Sequence, residues 1–239
     1  MTDAMPIKSR QRLRAIAIAI ALICMVPACT VTKVDQEARA ISSEPNLLGQ
    51  PGFSRLSTSG VKQIKDSRSA RFDFRDLTLT NAEAGLPADY NRDVIIGGAG
   101  KPDIELTFLG PEAQATVSTQ TIWITTYFRG GRFEDLIFWR SFDTTEGAQH
   151  ELAQATARWG ILPENVDTWT HIASKADDGK EKWSLGSGIG PTGLIIDMNA
   201  SIKNGVQVFQ YYVHLNPLTY NPENIESIRT TGISHRPVS

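Results

Sequence analysis

Cysteine is nearly absent from this sequence, because only Cys24 and Cys29 occur among its 239 residues. A domain that follows Cys29 contains no thiol, so disulfides cannot hold it and its stability must come from packing. The same absence excludes a thiolate zinc site and a cysteine nucleophile from that domain.

A surplus of positive charge is also missing. Lys and Arg number 24, Asp and Glu number 26, and the formal net charge is -2. A generic nucleic-acid binder needs basic residues to displace the counterions of the phosphates, so we expect no nucleic-acid partner. The hydrophobic fraction of 41% excludes a disordered chain.

Residues 1–28 have the layout of a secretory signal peptide. Four cations lie within the first 14 residues, and the uncharged run AIAIAIALICMVPA follows at 15–28. This run is too short for a comfortable membrane span, since a helix needs about 20 residues to cross the hydrocarbon core. The pattern therefore predicts export followed by removal of the segment.

The end of this segment, Val26-Pro27-Ala28-Cys29, resembles the lipobox of bacterial lipoproteins. The resemblance implies cleavage between Ala28 and Cys29 and a diacylglycerol on the Cys29 sulfur. It further implies that the lipid holds the protein on the extracytoplasmic face of the cell membrane, with Cys29 as the membrane contact. Pro27 departs from the family pattern of Ser, Ala or Thr. An ordinary signal peptide cut at Ala28 and an uncleaved anchor are the alternatives.

The rest of the chain is expected to form a linker and one domain. Residues 29–52 would be the lipid anchor and a tether, because 30–52 are polar, include Pro45 and Pro51, and show no sustained period. Residues 53–239 fit a single extracytoplasmic domain.

The dipeptide Asn204-Gly205 predicts a β-hairpin, because both turn positions favour residues that accept positive φ. Pairing outward from the turn separates an apolar face from a largely polar one. The apolar face would consist of Leu194, Ile196, Met198, Ala200 and Ile202 with Gln207, Phe209, Tyr211, Val213 and Leu215.

Gly130-Gly131 predicts a second hairpin, in which Ile122 would lie opposite Trp139. In that register Trp123, Leu136 and Phe138 share one face. Both faces are apolar, so this hairpin is expected at the centre of a sheet, covered on both sides. If no helix covers the face with Trp123, it becomes a candidate binding surface.

One main helix is predicted between the hairpins. Asp143 is expected to cap its N-terminus, and Gly160 and Pro163 are expected to end it. Apolar residues recur at helical spacing between them, and Glu151 is expected to point away from this apolar face. A short helix is expected from Pro222. Strands are expected at 71–80 and 103–109. These elements predict an α+β domain, with a mostly antiparallel sheet and one main helix packed across a face.

Trp159-Gly160 at the end of that helix and the Asn204-Gly205 hairpin give the domain a resemblance to the LppA-type lipoproteins of mycobacteria. The resemblance covers about residues 121–215. It implies a lipoprotein location and a shared fold but no chemistry, because that family has no settled biochemical role.

Gly188, Gly190 and Gly193 match the spacing of a dinucleotide-binding loop. That chemistry requires a following helix, whereas LIIDMNAS predicts a strand and Pro191 removes one amide. We therefore expect a loop between two strands and no cofactor.

His214 is predicted to lie diagonally across from Asp197 on the more polar face of the Asn204-Gly205 hairpin. This pair could belong to a Ser-His-Asp relay with Ser187 or Ser201 as nucleophile. No Gly-x-Ser-x-Gly elbow occurs in the sequence. A hydrated cross-strand polar pair is therefore the favoured interpretation.

No metal site is predicted. The four histidines, which are His150, His171, His214 and His235, have no metal-ligand spacing, and Asp177-Asp178-Gly179 lacks the later ligands of a calcium loop.

These observations predict a lipid-anchored cell-envelope protein that is a non-enzymatic binding or structural module. An envelope protein, a lipid or a glycan is the expected partner, since surface aromatic side chains can stack on sugar rings or bind another protein. The alternative is a cell-surface hydrolase that uses His214 and Asp197.

Overall fold

A computed structural model describes residues 31–33, 52–126, 131–173, 182–203 and 205–235. The strands within these ranges are β1 Val31–Lys33, β2 Ser69–Asp73, β3 Val94–Gly97, β4 Ile104–Leu109, β5 Ala113–Thr119, β6 Thr121–Thr126, β7 Phe133–Phe142, β8 Trp183–Ile189, β9 Ile195–Lys203 and β10 Val206–His214. The helices are α1 Thr58–Ser67, α2 Thr145–Trp159, α3 Pro163–Ala173 and α4 Pro222–Thr231, with a 3₁₀ helix at Pro217–Tyr220.

The strands form two sheets. The small sheet has the order β1-β5-β4-β2 and the large sheet has the order β3-β6-β7-β10-β9-β8. Among the described pairings only β2 with β4 is parallel. The chain alternates between the sheets, since β3 of the large sheet lies between β2 and β4 of the small sheet. The α+β class with mostly antiparallel pairing is as predicted.

The core lies where β4 and α2 meet the large sheet. Phe108 of β4 stacks on Trp159 of α2 with 6.3 Å between ring centroids. Trp159 also contacts Phe138 of β7 at 6.2 Å and Tyr211 of β10 at 5.7 Å. All four side chains are fully buried. Because aromatic side chains bury the largest apolar areas, this cluster holds the two sheets and α2 together.

The β9–β10 hairpin has the predicted register. Phe209 pairs with Ala200 and Tyr212 pairs with Asp197, and Gly205 has the positive φ that the turn requires, +74°. All ten residues of the predicted apolar face are buried. This face is the core face of the large sheet, and the opposite face is called the outer face below.

The predicted register of the β6–β7 hairpin is wrong by one residue. Ile122 pairs with Phe138 instead of Trp139, and the register shifts between Thr125 and Thr126. An extra residue at such a bulge exchanges the faces of every residue beyond it, because side chains alternate along a strand. Leu136 and Phe138 are therefore fully buried on the core face, whereas Trp123 lies on the outer face. Of the predicted turn, Gly131 is described and has a φ of +62°, whereas Gly130 and the preceding residues 127–129 fall outside the described ranges.

Helix α2 differs from its prediction in two details. Its cap is Thr144 rather than Asp143, with the hydroxyl accepting from the Gly147 amide. Glu151 points into the core, where it is 2% exposed and bonded by Arg140, Arg158 and the Tyr211 hydroxyl. Gly160 ends the helix in the left-handed conformation as predicted.

The other helices were predicted in part. Pro163 does not simply end α2, because it opens α3, where its missing amide proton costs nothing. Helix α4 starts at Pro222 as predicted. Helix α1 was not predicted, since Ile64 is its only buried large side chain. Of the strands expected at 71–80 and 103–109, the second is confirmed as β4, and the first ends at Asp73.

The predicted tether is described only at Val31–Lys33, which pair with β5, and at Gly52. The predicted signal peptide and Cys29 lie outside the described residues. In the part of the chain that is described, no helix has the length and hydropathy of a membrane span.

Candidate functional site

One row of side chains crosses all six strands of the large sheet on the outer face. The strand registers place its members in one line, because residues paired across neighbouring strands point to the same face. From β3 to β8 the row reads Ile95, Trp123, Ile137, Tyr212, Asp197 and Ser187. The row is apolar and aromatic at the β3 end and polar at the β8 end.

The polar end contains a buried histidine between two carboxylates. His214 Nδ1 lies 2.8 Å from Asp135 Oδ1 on β7, and Nε2 lies 2.9 Å from Asp197 Oδ2 on β9. The Ser187 hydroxyl donates to Asp197 Oδ1 at 2.5 Å. These four residues, which we call the carboxylate–histidine chain, connect β7, β10, β9 and β8.

His214 is not part of a hydrated surface pair, as the sequence had predicted, because it is only 2% exposed. Its diagonal contact with Asp197 is as predicted. Asp135 was not anticipated as the second partner.

Tyr220 lies next to this end of the hairpin. Its buried hydroxyl donates to the His214 carbonyl at 2.7 Å and accepts from the Ile195 amide at 3.1 Å. Burial raises the pKa of the Tyr220 phenol.

The two carboxylates keep His214 charged. Burial alone would lower the pKa of the imidazole, but the contacts with Asp135 and Asp197 outweigh it and raise that pKa from 6.5 to about 9. At neutral pH both ring nitrogens therefore carry protons and face carboxylates.

This arrangement does not favour a Ser-His-Asp relay. A relay needs a neutral imidazole that accepts the proton of the serine hydroxyl. Ser187 donates to Asp197 rather than to His214, and Ser201 pairs with Val208 further along β9. The carboxylate–histidine chain is better suited to holding four strands together than to removing a proton from a nucleophile.

The apolar end of the row carries a stacked aromatic pair. The rings of Trp123 on β6 and Trp139 on β7 are 5.8 Å apart and inclined by 18°, and both side chains are partly exposed. Ile95, beside Trp123, is 54% exposed. The expectation that this hairpin is covered on both sides is therefore wrong for its outer face, where the bulge has placed both tryptophans.

Polar side chains lie next to the aromatic pair. Gln210 pairs with Trp139 across β10 and β7, and Asn199 pairs with Gln210 across β9 and β10. Both are partly exposed. Tyr212 is covered on one side by Lys182, whose Nζ lies 4.8 Å from the ring centroid and 2.9 Å from the hydroxyl. The outer face thus combines flat apolar rings with amide and hydroxyl groups.

A cleft of about 820 Å³ opens beside β3. Helix α1 forms one wall, and the segment from Gly85 to Ile95 forms the other. Its apolar lining includes Val61, Leu86 and Tyr90. Sequence patterns did not indicate this cleft, because α1 itself has too few apolar residues to be recognised.

The glycines that match a dinucleotide-binding loop have a packing role. Gly188 lies near the end of β8, and Gly190 and Gly193 lie in the loop that joins β8 to β9; no helix follows them, as predicted. A Cβ on Gly188 would lie 2.3 Å from Gly160 C, and one on Gly190 would lie 2.2 Å from the Arg158 carbonyl oxygen. The end of α2 therefore approaches this loop more closely than any side chain allows.

The remaining candidate residues do not converge. His150, His171 and His235 lie on α2, on α3 and after α4. Within the described residues no group of three His, Cys, Asp or Glu side chains could hold a metal ion. Asp177-Asp178-Gly179, Ala28 and Cys29 lie outside those residues, so cleavage and lipid attachment stay predictions.

Comparison with known proteins gives no relative: no protein-family model matches the chain, and neither do the curated proteins or the solved structures. The resemblance to LppA-type lipoproteins therefore stays a prediction.

Proposed function

We propose that this protein is a lipid-anchored cell-envelope protein that binds a glycan, without catalysis, through the outer face of its large sheet. The observation that carries the proposal is the partly exposed stack of Trp123 and Trp139 on this face. In this proposal α2 is the main helix that supports the sheet from the core face, and the outer face is left to the ligand.

The chemistry of the outer face suits a sugar better than a purely apolar ligand. The flat faces of tryptophan rings pack against the C–H groups of a pyranose, and their polarised π-systems favour such contacts. Hydroxyls around the sugar ring need hydrogen-bond partners, and Gln210 and Asn199 supply both donors and acceptors beside Trp139. Aromatic side chains combined with a small number of precisely placed polar groups are typical of sites that recognise a ligand specifically.

The expected location agrees with this ligand class. Cleavage after Ala28 and a lipid on Cys29 would hold the domain on the extracytoplasmic face of the membrane, among the polysaccharides of the envelope. Val31–Lys33 pair with β5, so only Thr30 would separate a lipid on Cys29 from the small sheet.

Binding to soluble envelope polysaccharides tests the proposal. The chain carrying Cys29→Ser is titrated with polysaccharide fractions in a calorimeter, alone and with Trp139→Ala. Loss of one stacking surface should weaken binding about tenfold. Trp183→Ala is the matched control, because Trp183 is 43% exposed on the edge strand β8 and should leave binding unchanged. Absence of binding by the unaltered face, or equal effects of both substitutions, would contradict the proposal.

A further inference from the structure

Ile95 belongs to two features of the surface at once. It pairs with Trp123 in the row on the outer face, and it also lines the cleft beside β3. At 54% exposure it is among the most exposed large apolar side chains in the described part of the chain. The aromatic surface and the cleft are therefore continuous through this side chain.

The cleft has the size and lining of a site for a hydrocarbon chain. Its volume of about 820 Å³ falls within the range of small-molecule sites, roughly 300–1,000 Å³. Val61 of α1 and Leu86 and Tyr90 of the opposite wall are partly buried against the core and turn apolar surface to the cleft. A polar ligand alone would gain little from these walls.

The charged residues of the cleft balance one another. Lys62 and Lys65 of α1 line it together with Asp66 and Asp93, and Lys62 is paired with Asp66 at 2.5 Å. The cleft therefore carries no strong charge of one sign, which agrees with a neutral ligand. These charges lie on long or surface side chains, so they can stay hydrated while the apolar walls are covered.

From this continuity we propose that the ligand is a neutral glycolipid, with its acyl chain in the cleft and its sugars on Trp123 and Trp139. The proposal rests on glycan binding by the outer face and names the ligand class more narrowly. The sugar lies over the aromatic pair, the acyl chain passes Ile95, and the chain end packs between Val61 and Leu86.

Alkyl glycosides of different chain length test this assignment. Hexyl, octyl and decyl glycosides of glucose, galactose, mannose and N-acetylglucosamine are titrated below their micelle concentrations into the full chain carrying Cys29→Ser. The free sugars serve as references. Each methylene that enters the cleft should raise affinity about fourfold, so affinity should increase steeply with chain length for at least one sugar.

Substitutions in the cleft separate the two proposals. Ile95→Asp and Val61→Trp should each abolish the dependence on chain length. Val61→Trp should also leave binding of the free sugar unchanged, because Val61 lies on α1 and lines only the cleft. Ile233→Asp is the matched control, because Ile233 is 56% exposed near the end of α4, and it should change neither. Trp139→Ala should weaken sugars and alkyl glycosides alike.

Each outcome has a defined meaning. Free sugars that bind without any gain from the alkyl chain, or a gain that survives both cleft substitutions, would overturn the glycolipid and leave glycan binding intact. Failure of every sugar and every alkyl glycoside would overturn both proposals. Equal melting temperatures of the variants show that the fold is preserved.

Discussion

His214 shows how a single side chain can carry a positive charge in the interior. Its two ring nitrogens contact Asp135 and Asp197, so one imidazolium faces two carboxylates, and the Ser187 hydroxyl completes the set. Removal of the cation would leave the buried carboxylate of Asp135 and the partly buried carboxylate of Asp197 facing each other without the positive charge between them. Breaking a buried ion pair in this way is strongly destabilising.

We therefore expect His214→Gln to lower the free energy of unfolding by about 3–5 kcal/mol. Urea denaturation measures this change. The control is His150→Gln, because His150 is exposed on α2 and substitution there should alter stability by less than about 0.5 kcal/mol. Similar effects of the two substitutions would show that the carboxylate–histidine chain does not stabilise the fold.

The raised pKa of His214 predicts a loss of stability at alkaline pH. A group that binds its proton more tightly in the folded state contributes its full stabilisation below the unfolded pKa of 6.5, and this contribution is lost as the pH rises through about 9. A shift of this size corresponds to about 3 kcal/mol. Unfolding in denaturant should therefore become easier between neutral pH and one unit above the folded pKa. In the His214→Gln variant this part of the pH dependence should be absent.

Among the elements, the loop between β8 and β9 depends most on one residue type. Gly188 and Gly190 lie against the end of α2, with no room for a Cβ. The spacing of these glycines resembles that of a dinucleotide-binding loop, because glycine in both cases lets the backbone approach closely. In a dinucleotide-binding loop it approaches a pyrophosphate, and here it approaches the end of α2.

We expect Gly190→Ala to destabilise the protein by about 3 kcal/mol, since the new methyl group would overlap the Arg158 carbonyl and force α2 away from the loop. Gly100→Ala is the comparison, because Gly100 has positive φ and nothing lies within 4 Å of the place that an alanine methyl group would occupy. That substitution should cost only the backbone strain, about 1 kcal/mol. Thermal unfolding of both variants gives the ranking, and a smaller effect at Gly190 would contradict the packing role.

The elements also show which parts of the structure the sequence could predict. The β9–β10 register was predictable because a two-residue Asn-Gly turn leaves one pairing that separates apolar from polar side chains. The β6–β7 register was not, because the bulge beside Thr126 leaves no mark in a pair of strands that are apolar on both faces.

The candidate site was only partly predictable for a related reason. Asp197 and His214 lie on strands joined by the short turn, so their diagonal contact followed from the sequence. Asp135 reaches His214 through the pairing of β7 with β10, which are separated by α2, α3 and two strands in the chain. No local pattern fixes such a pairing. The cleft depends on α1, whose few apolar residues gave no periodic signal.

At the scale of the whole molecule, the expected lipid on Cys29 decides where the domain works. We expect Cys29→Ser to release the protein from the membrane fraction, because the lipoprotein prediction removes residues 1–28 and leaves the acyl chains, at about 0.8 kcal/mol per buried methylene, as the membrane contact. Cell fractionation measures the release, and intact mass of the native protein should show the added diacylglycerol and the loss of residues 1–28. Retention in the membrane pellet, with no added mass in the native form, would refute the lipoprotein prediction.

The alternation of the chain between the two sheets has a consequence for how this protein can be divided. A gene fragment that began at β6 would encode five strands of the large sheet, yet it would lack β3 at one edge and the β4 surface that meets α2. A fragment that ended at β5 would contain β3 without β6, the strand with which it pairs. Neither sheet is thus a severable module, and the two must be folded and inherited as one piece.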